Sequence, residues 1–160
     1  MKYRRLRTDE LEELQPEFVR FLAANQVTAE DWEKLKANDA GKAEQLIALF
    51  SDIVFDKVLS GVEYLEYKAP QDLKTFRFLE DKAVMNGLRV EGETSMDLTQ
   101  NQSVEQLMQQ LQLSGASLKL YSAEKKYTKT KEMEAFLLME AGALISKDGA
   151  LYKALESLKK

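Results

Sequence analysis

Apolar residues in the first third of the chain recur at the spacing of a helix face. Leu14, Phe18 and Leu22 lie four residues apart, which places them on one side of an α-helix. Pro16 interrupts this run, so it either kinks one helix or occupies the first turn of a second one. The pattern predicts a layer of helices over residues 8–60.

The strongest helical signal runs from Lys42 to about Leu59. Its apolar residues are too many for a single stripe, so we expect this helix to pack on two neighbours at the centre of the helical layer. A shorter helix precedes it, because Thr28 followed by Asp31 is typical of a capping box.

The pattern changes after Gly61. Residues 62–68, 73–79 and 83–91 form short runs rich in Tyr, Phe and Val, separated by three or four residues. Such runs favour an antiparallel meander. The first run could instead extend the preceding helix.

Two more elements complete a sheet region that spans residues 62–123. Ser103 and Gln106 make a second capping box, which predicts an inserted helix over residues 103–113. Residues 118–123 can form a further strand, so we expect a sheet of three to four strands.

The C-terminal segment has the pattern of two helices. We predict one helix over residues 131–145, a turn at residues 146–149 and a last helix, which together make a helical hairpin over residues 131–159. With helices before and after a small, mostly antiparallel sheet, the chain is predicted to be an α+β protein that forms a single domain over residues 1–160.

The composition excludes several kinds of chemistry. The 160 residues include no cysteine and no histidine. Disulfides, thiol nucleophiles, Ser/His/Asp triads and the usual zinc sites therefore cannot be built. The seven glycines are scattered and form no phosphate-binding loop, so we predict no cofactor.

Charge and apolar runs bear on partners and location. The net charge of −4 disfavours a dedicated nucleic-acid binder, which needs a basic face. The basic start of the chain has no apolar run after it, unlike a secretory signal. The longest apolar stretch, residues 135–145, is too short to span a bilayer. We therefore expect a cytoplasmic protein with no membrane partner.

Two charged residues fall on helix faces that are otherwise apolar. Lys57 projects between Phe50 and Ile53, and Glu140 falls on the face marked by Phe136. One hypothesis is that Lys57 and Glu140 form a buried or half-buried ion pair. In a second, the lysine stem lies on apolar surface and its ammonium group reaches water. In a third, burial shifts the pKa of a reactive lysine or carboxyl group.

Other charged residues form small clusters. Asp52 and Asp56 stand four apart on one helix and could both reach a hard cation, but such pairs are common on solvated faces, and we predict no metal site. Two basic clusters could together hold a phosphate, an RNA strand or an acidic partner. This candidate basic patch comprises Arg4, Arg5, Arg7, Lys125, Lys126 and Lys129.

Seven segments carry a family resemblance. In chain order they are MKYRRL, FVRFLA, VTAEDW, LFSDIVFDKVL, VEYLEYKAPQDLKTF, LKLYSAEKKY and GALISKDGALYKAL. As a set they resemble an uncharacterised family of short bacterial cytoplasmic proteins of unknown function, and the likeness covers nearly the whole chain. The resemblance implies a single-domain cytoplasmic protein and supplies no activity, cofactor or catalytic residue.

The function is thus unknown from the sequence, and three hypotheses differ in what they require. The first is a non-enzymatic interaction module that binds an unidentified protein partner or itself, using the wide apolar helix and exposed aromatics such as Trp32 or Phe55. The second is a ligand-binding protein or enzyme that needs a concave pocket with charged groups converging in it. The third is a weak RNA or phosphate binder that uses the basic patch.

Overall fold

The computed structural model of the chain describes residues 1–92 and 96–159. It is an α+β protein with two compact units, Met1–Val58 and Leu59–Lys160. The prediction of a single domain over residues 1–160 stays a prediction. The helices are α1 (Thr8–Glu13), α2 (Gln15–Ala24), α3 (Ala29–Asn38), α4 (Ala40–Ser60), α5 (Val104–Leu113), α6 (Lys131–Glu140) and α7 (Ala150–Leu158); the strands are β1 (Tyr64–Ala69), β2 (Asp72–Phe78), β3 (Lys82–Glu91), β4 (Ser117–Lys126) and β5 (Leu144–Ser146).

Local sequence signals set the helix ends of the first unit. Pro16 lies in the first turn of α2 rather than at a kink, because its missing N–H needs no partner there. The capping box before α3 is confirmed: the N–H of Asp31 donates to Thr28 Oγ1 over 3.1 Å. Helix α4 begins slightly earlier than predicted, since the carboxylate of Asp39 accepts the N–H of Lys42 at 3.1 Å.

The core of the first unit is largely aromatic. Phe18 on α2 packs on Phe50 of α4, with ring centroids 5.0 Å apart, and on Trp32 of α3 at 5.2 Å in an edge-to-face arrangement. Edge-to-face packing brings the positive edge of one ring to the negative face of the other. The buried residues of this core are Leu6, Phe18, Leu22, Ile47 and Phe50.

The second unit is built on a five-stranded antiparallel sheet with the order β4-β3-β2-β1-β5. Residues 62–68, which could have extended the preceding helix, instead contribute β1. One sheet face, which we call the α7 face, packs its apolar side chains against α5 and α7. This core contains Leu73, Leu88, Val90, Leu98, Leu107, Leu111, Leu151 and Leu155.

The predicted C-terminal helical hairpin is wrong in its connection. Helix α6 ends at Glu140 instead of continuing to residue 145, and Gly142 follows with a φ of +114°, a conformation that ends helices and favours glycine. The chain then forms β5, which pairs with β1 before α7 begins. The sheet therefore has one strand more than the three to four expected.

The opposite sheet face, called the α6 face, lies against helix α6. Phe76 and Phe78 of β2 line a cavity there together with Leu138 of α6. Successive side chains of a strand point to opposite faces of the sheet. Leu73 and Phe76 are three positions apart, so they lie on opposite faces. Within the described residues, no helix combines the length and apolar character needed to cross a membrane.

Candidate functional site

The two residues predicted to form a buried ion pair are both exposed. Lys57 lies in the last turn of α4, where a cation complements the helix dipole, and Glu140 is the last residue of α6. The expected burial is not found. The exposure of Lys57 agrees with the second hypothesis, in which its ammonium group reaches water. Pairing between Lys57 and Glu140 stays a prediction.

Carboxylates of the first unit neutralise its basic cluster. Arg4 Nη1 lies 2.8 Å from Glu10 Oε1, Arg5 Nε lies 2.7 Å from Glu44 Oε2, and Arg7 Nη2 lies 3.5 Å from Glu10 Oε2. The hydrogen bond from Arg4 lowers the pKa of Glu10 from 4.5 to about 2, against the opposing effect of desolvation. Because carboxylates pair with these arginines, the cluster attracts a nucleic acid less strongly than three unpaired arginines would.

The second basic cluster is partly neutralised as well. Lys125 Nζ lies 3.0 Å from Glu134 Oε2, and hydrogen bonds from Lys125 and Thr128 lower the pKa of Glu134 although burial opposes this. Lys126 and Lys129 are exposed. That the two clusters share one face stays a prediction.

The acidic pair Asp52 and Asp56 binds the chain's own N-terminal segment. The N–H of Lys2 donates to both oxygens of Asp52 at 3.0 and 2.9 Å, and the Tyr3 hydroxyl donates to Asp56 at 2.7 Å. The Tyr3 hydrogen bond, followed by that of Lys2, lowers the pKa of Asp56. In the part of the chain that the structure describes, no group of three or more acidic side chains could hold a metal ion.

Ser51 anchors the same segment inside the first unit. Its buried hydroxyl accepts the N–H of Leu6 at 2.9 Å and donates to the carbonyl of Ile47 at 2.7 Å. The hydroxyl thus satisfies a buried N–H group, which would otherwise lose its hydrogen bond. No sequence signal marked this role, because a serine within a helix gives no indication of a distant partner.

The aromatic ring of Tyr121 covers Gly87 on the α6 face. The two residues are directly opposite in the β3–β4 register, and a Cβ built on Gly87 would overlap the ring. The Tyr121 hydroxyl donates to Asp72, and the guanidinium of Arg89 lies 5.5 Å from the ring centroid. Burial and then Asp72 raise the pKa of Tyr121. Tyr121 therefore ties β4 to the sheet.

A polar network lies on the α7 face. The side-chain amide of Asn86 is buried and donates to Glu156 on α7, while Lys159 donates to Asn86 Oδ1 at 3.0 Å. The hydroxyl of Thr75 donates to the Asn86 carbonyl at 2.8 Å. Because each buried group has a partner, this network fixes how α7 sits on the sheet.

A cavity of about 210 Å³ lies between α6 and the sheet. Phe76, Phe78 and Met85 contribute to its mainly apolar lining, and the charged groups Lys125 and Glu134 at its edge pair with each other. Its volume is below the roughly 300–1,000 Å³ of typical ligand sites. Because its lining is mainly apolar and Lys125 pairs with Glu134, this cavity gives the enzyme hypothesis little support.

The two aromatic residues of the first unit that the sequence predicted to be exposed are only partly exposed. Trp32 and Phe55 are half-buried and pack against the aromatic core. The exposed apolar residues of α4 are instead Leu49, Ile53 and Val58. Helix α4 therefore does present apolar surface, although its aromatics do not supply it.

The outer edge of β4 offers both backbone groups and apolar side chains. β4 is an end strand of the sheet, so on one side its N–H and C=O groups have no strand partner among the described residues. Leu118 and Leu120 lie on the α7 face beside buried Val90 and Leu88, and they are 41% and 39% exposed. We call this edge, with residues 117–123, the β4 edge surface.

Comparison with known proteins identifies a family and no activity. The sequence pattern that defines a family of unknown function, DUF6495, matches residues 1–160. No curated protein and no solved structure matches the chain. The resemblance to an uncharacterised family is thereby confirmed, whereas bacterial origin stays a prediction. The chain belongs to the DUF6495 family of unknown function.

Proposed function

We propose that this protein is a protein-interaction module whose binding surface is the β4 edge surface. The observation that supports this most is the ten-residue length of β4 at the end of the sheet. An extended segment of a partner can add a strand to such an edge, with main-chain hydrogen bonds giving affinity and side chains giving specificity.

The charge pattern of β4 supports the same reading. Proteins often protect edge strands with charged side chains, lysine above all. In β4 the charges are concentrated at the C-terminal end, Glu124–Lys126, whereas residues 117–123 contain only Lys119. The N-terminal part of the strand therefore stays open to pairing.

The other two hypotheses have less support. Most of the candidate basic residues already contact carboxylates, which weakens the case for RNA or phosphate binding. Lys57 and Glu140 are exposed, which weakens the case for a reactive buried group. A cytoplasmic location for this interaction is part of the proposal.

Site-specific photo-cross-linking tests the proposal. The photoreactive residue p-benzoylphenylalanine replaces Leu120 in the full chain, expressed in its own organism, and a matched control places it at Leu158, which is 44% exposed in the same unit. We expect a discrete protein adduct from position 120 and none from position 158. Mass spectrometry identifies the adduct.

The identified partner is then purified and its affinity is measured by calorimetry. The Leu118→Lys/Leu120→Lys variant places charges on the open edge, and we expect it to bind at least about tenfold more weakly than the wild-type chain. The Leu158→Lys variant should bind normally. Equal binding by all three proteins, or equal adducts from both positions, would overturn the proposal.

A further inference from the structure

We propose that the strand which completes the β4 edge surface is β4 of a second copy of this chain, paired antiparallel about Leu120. This inference rests on the proposed function and names its partner. A two-fold axis perpendicular to the sheet would join two five-stranded sheets into one of ten strands, with the α7 faces of both copies on the same side.

The apolar pattern on the α7 face favours this register. Leu73 of β2 is opposite Leu88 of β3, and Leu88 is opposite Leu120 of β4. Pairing Leu120 with Leu120 of the second copy continues this row, so that six leucines cross the joined sheet. Directly opposite side chains of an antiparallel pair lie about 4.5–5.5 Å apart, so the exposed Leu120 side chains would cover each other.

The charge pattern disfavours the registers centred on Lys119, Tyr121 and Ser122. Centring the pair on Lys119 would place two lysines opposite each other, and centring it on Ser122 would oppose Lys119 and Lys125; like charges in these positions are unfavourable. Centring it on Tyr121 avoids this but places Leu118 opposite Glu124.

With Leu120 at the centre, Lys119 lies opposite Tyr121 of the second copy, on the α6 face. A lysine beside a tyrosine ring is a favourable neighbour. Leu118 is then opposite Ser122, and Ser117 is opposite Ala123. The charged residues 124–126 extend past the paired segment, so they remain in water.

The interface is small. Seven paired residues on each strand form a contact of the size that is typical of weak, transient complexes, since stable interfaces bury roughly 1,200–2,000 Å². We therefore expect a dimer whose fraction rises with protein concentration.

Because the chain contains no cysteine, single cysteine substitutions report the register directly. Leu120→Cys should form an intermolecular disulfide under mild oxidation, since directly opposite Cα atoms lie within bonding range. Ser122→Cys alone should form no disulfide. In this register the two Ser122 positions of the dimer are offset along the strands by four residues, or about 13 Å. Mixing Leu118→Cys with Ser122→Cys should restore cross-linking, and Leu158→Cys serves as the control.

Non-reducing gels quantify the dimer, circular dichroism checks the fold, and sedimentation velocity compares the wild type with Leu120→Lys. We expect cross-linking from Leu120→Cys and from the mixed pair, and a concentration-dependent dimer that Leu120→Lys abolishes. A monomeric wild type without the Leu120→Cys cross-link, or equal cross-linking from Ser122→Cys alone, overturns the inference. Adducts to another protein from position 120 would still leave the proposed function standing.

Discussion

Two glycines with nearly the same φ angle allow a steric contact to be measured separately from backbone strain. Gly149 precedes α7 with a φ of +64°, and a Cβ built there would lie 2.6 Å from ring atoms of Tyr64. Gly115 has a φ of +66°, and its Cβ would meet nothing within 4 Å. Alanine at either position has the same backbone cost, and at Gly149 it also displaces Tyr64.

The expected magnitudes follow from this geometry. A left-handed conformation costs an L-residue about 1–2 kcal/mol, which is the loss of unfolding free energy expected for Gly115→Ala. Tyr64 is 5% exposed and packs on Tyr152 with ring centroids 5.6 Å apart. Forcing an additional methyl group into such packing costs about 1–3 kcal/mol more. Gly149→Ala should therefore lose about 2–5 kcal/mol in total, by the sum of the two effects.

Urea denaturation followed by far-UV circular dichroism measures both variants against the wild type. We expect Gly149→Ala to be clearly less stable than Gly115→Ala. In a Tyr64→Ala background, where the ring is absent, the cost of Gly149→Ala should fall to that of Gly115→Ala. Equal losses for the two variants in the wild-type background would refute the steric argument.

Three further substitutions, one in the second unit and two in the first, test individual contacts. Gly87→Ala should displace the Tyr121 ring from Asp72 and lower the unfolding free energy by about 1–3 kcal/mol, measured by urea denaturation. In a Tyr121→Ala background the same substitution should not lower the unfolding free energy. An undiminished loss in that background would contradict the contact. Ser51→Ala should leave the buried N–H of Leu6 without an acceptor and lower the unfolding free energy by about 1–3 kcal/mol. Trp32 fluorescence measures the unfolding. If the variant is as stable as the wild type, Ser51 does not anchor the N-terminal segment. The lowered pKa of Glu10, about 2 against 4.5, stabilises the folded state above pH 4.5, by about 1–3 kcal/mol once solvent screening of this partly exposed pair is included, and this contribution is lost as the pH falls towards 2. Glu10→Gln should flatten that pH dependence in denaturation measurements at pH 2–7, and an unchanged slope would exclude the ion pair with Arg4 as its cause.

The starts of α3 and α5 were predictable because their signals are local. The capping boxes at Thr28 and Ser103 each join residues three positions apart, and Pro16 acts on its own turn. Such interactions depend on nearby backbone, so the sequence carries them completely. Strands β1 to β4 were predictable for the same reason, since strand periodicity and turns are local signals.

Pairing between distant segments was not predictable from the same signals. Residues 144 and 145 were predicted as the end of an apolar helix and residue 146 as the start of a turn, yet residues 144–146 form β5 because β1 offers its open edge to them. A three-residue strand has no periodicity to detect. The roles of Ser51 and Gly87 were missed for the same reason, since each depends on a partner far away in sequence.

The proposed binding surface shows where sequence and tertiary structure divide. The sequence by itself determined that residues 118–123 can form a strand with one charged residue, Lys119, and that the charged residues 124–126 follow it. Only the strand order β4-β3-β2-β1-β5 decided that this strand lies at the end of the sheet, with Leu118 and Leu120 exposed. Strand propensity resides in neighbouring residues, whereas an open edge exists only once every other strand has found its partner.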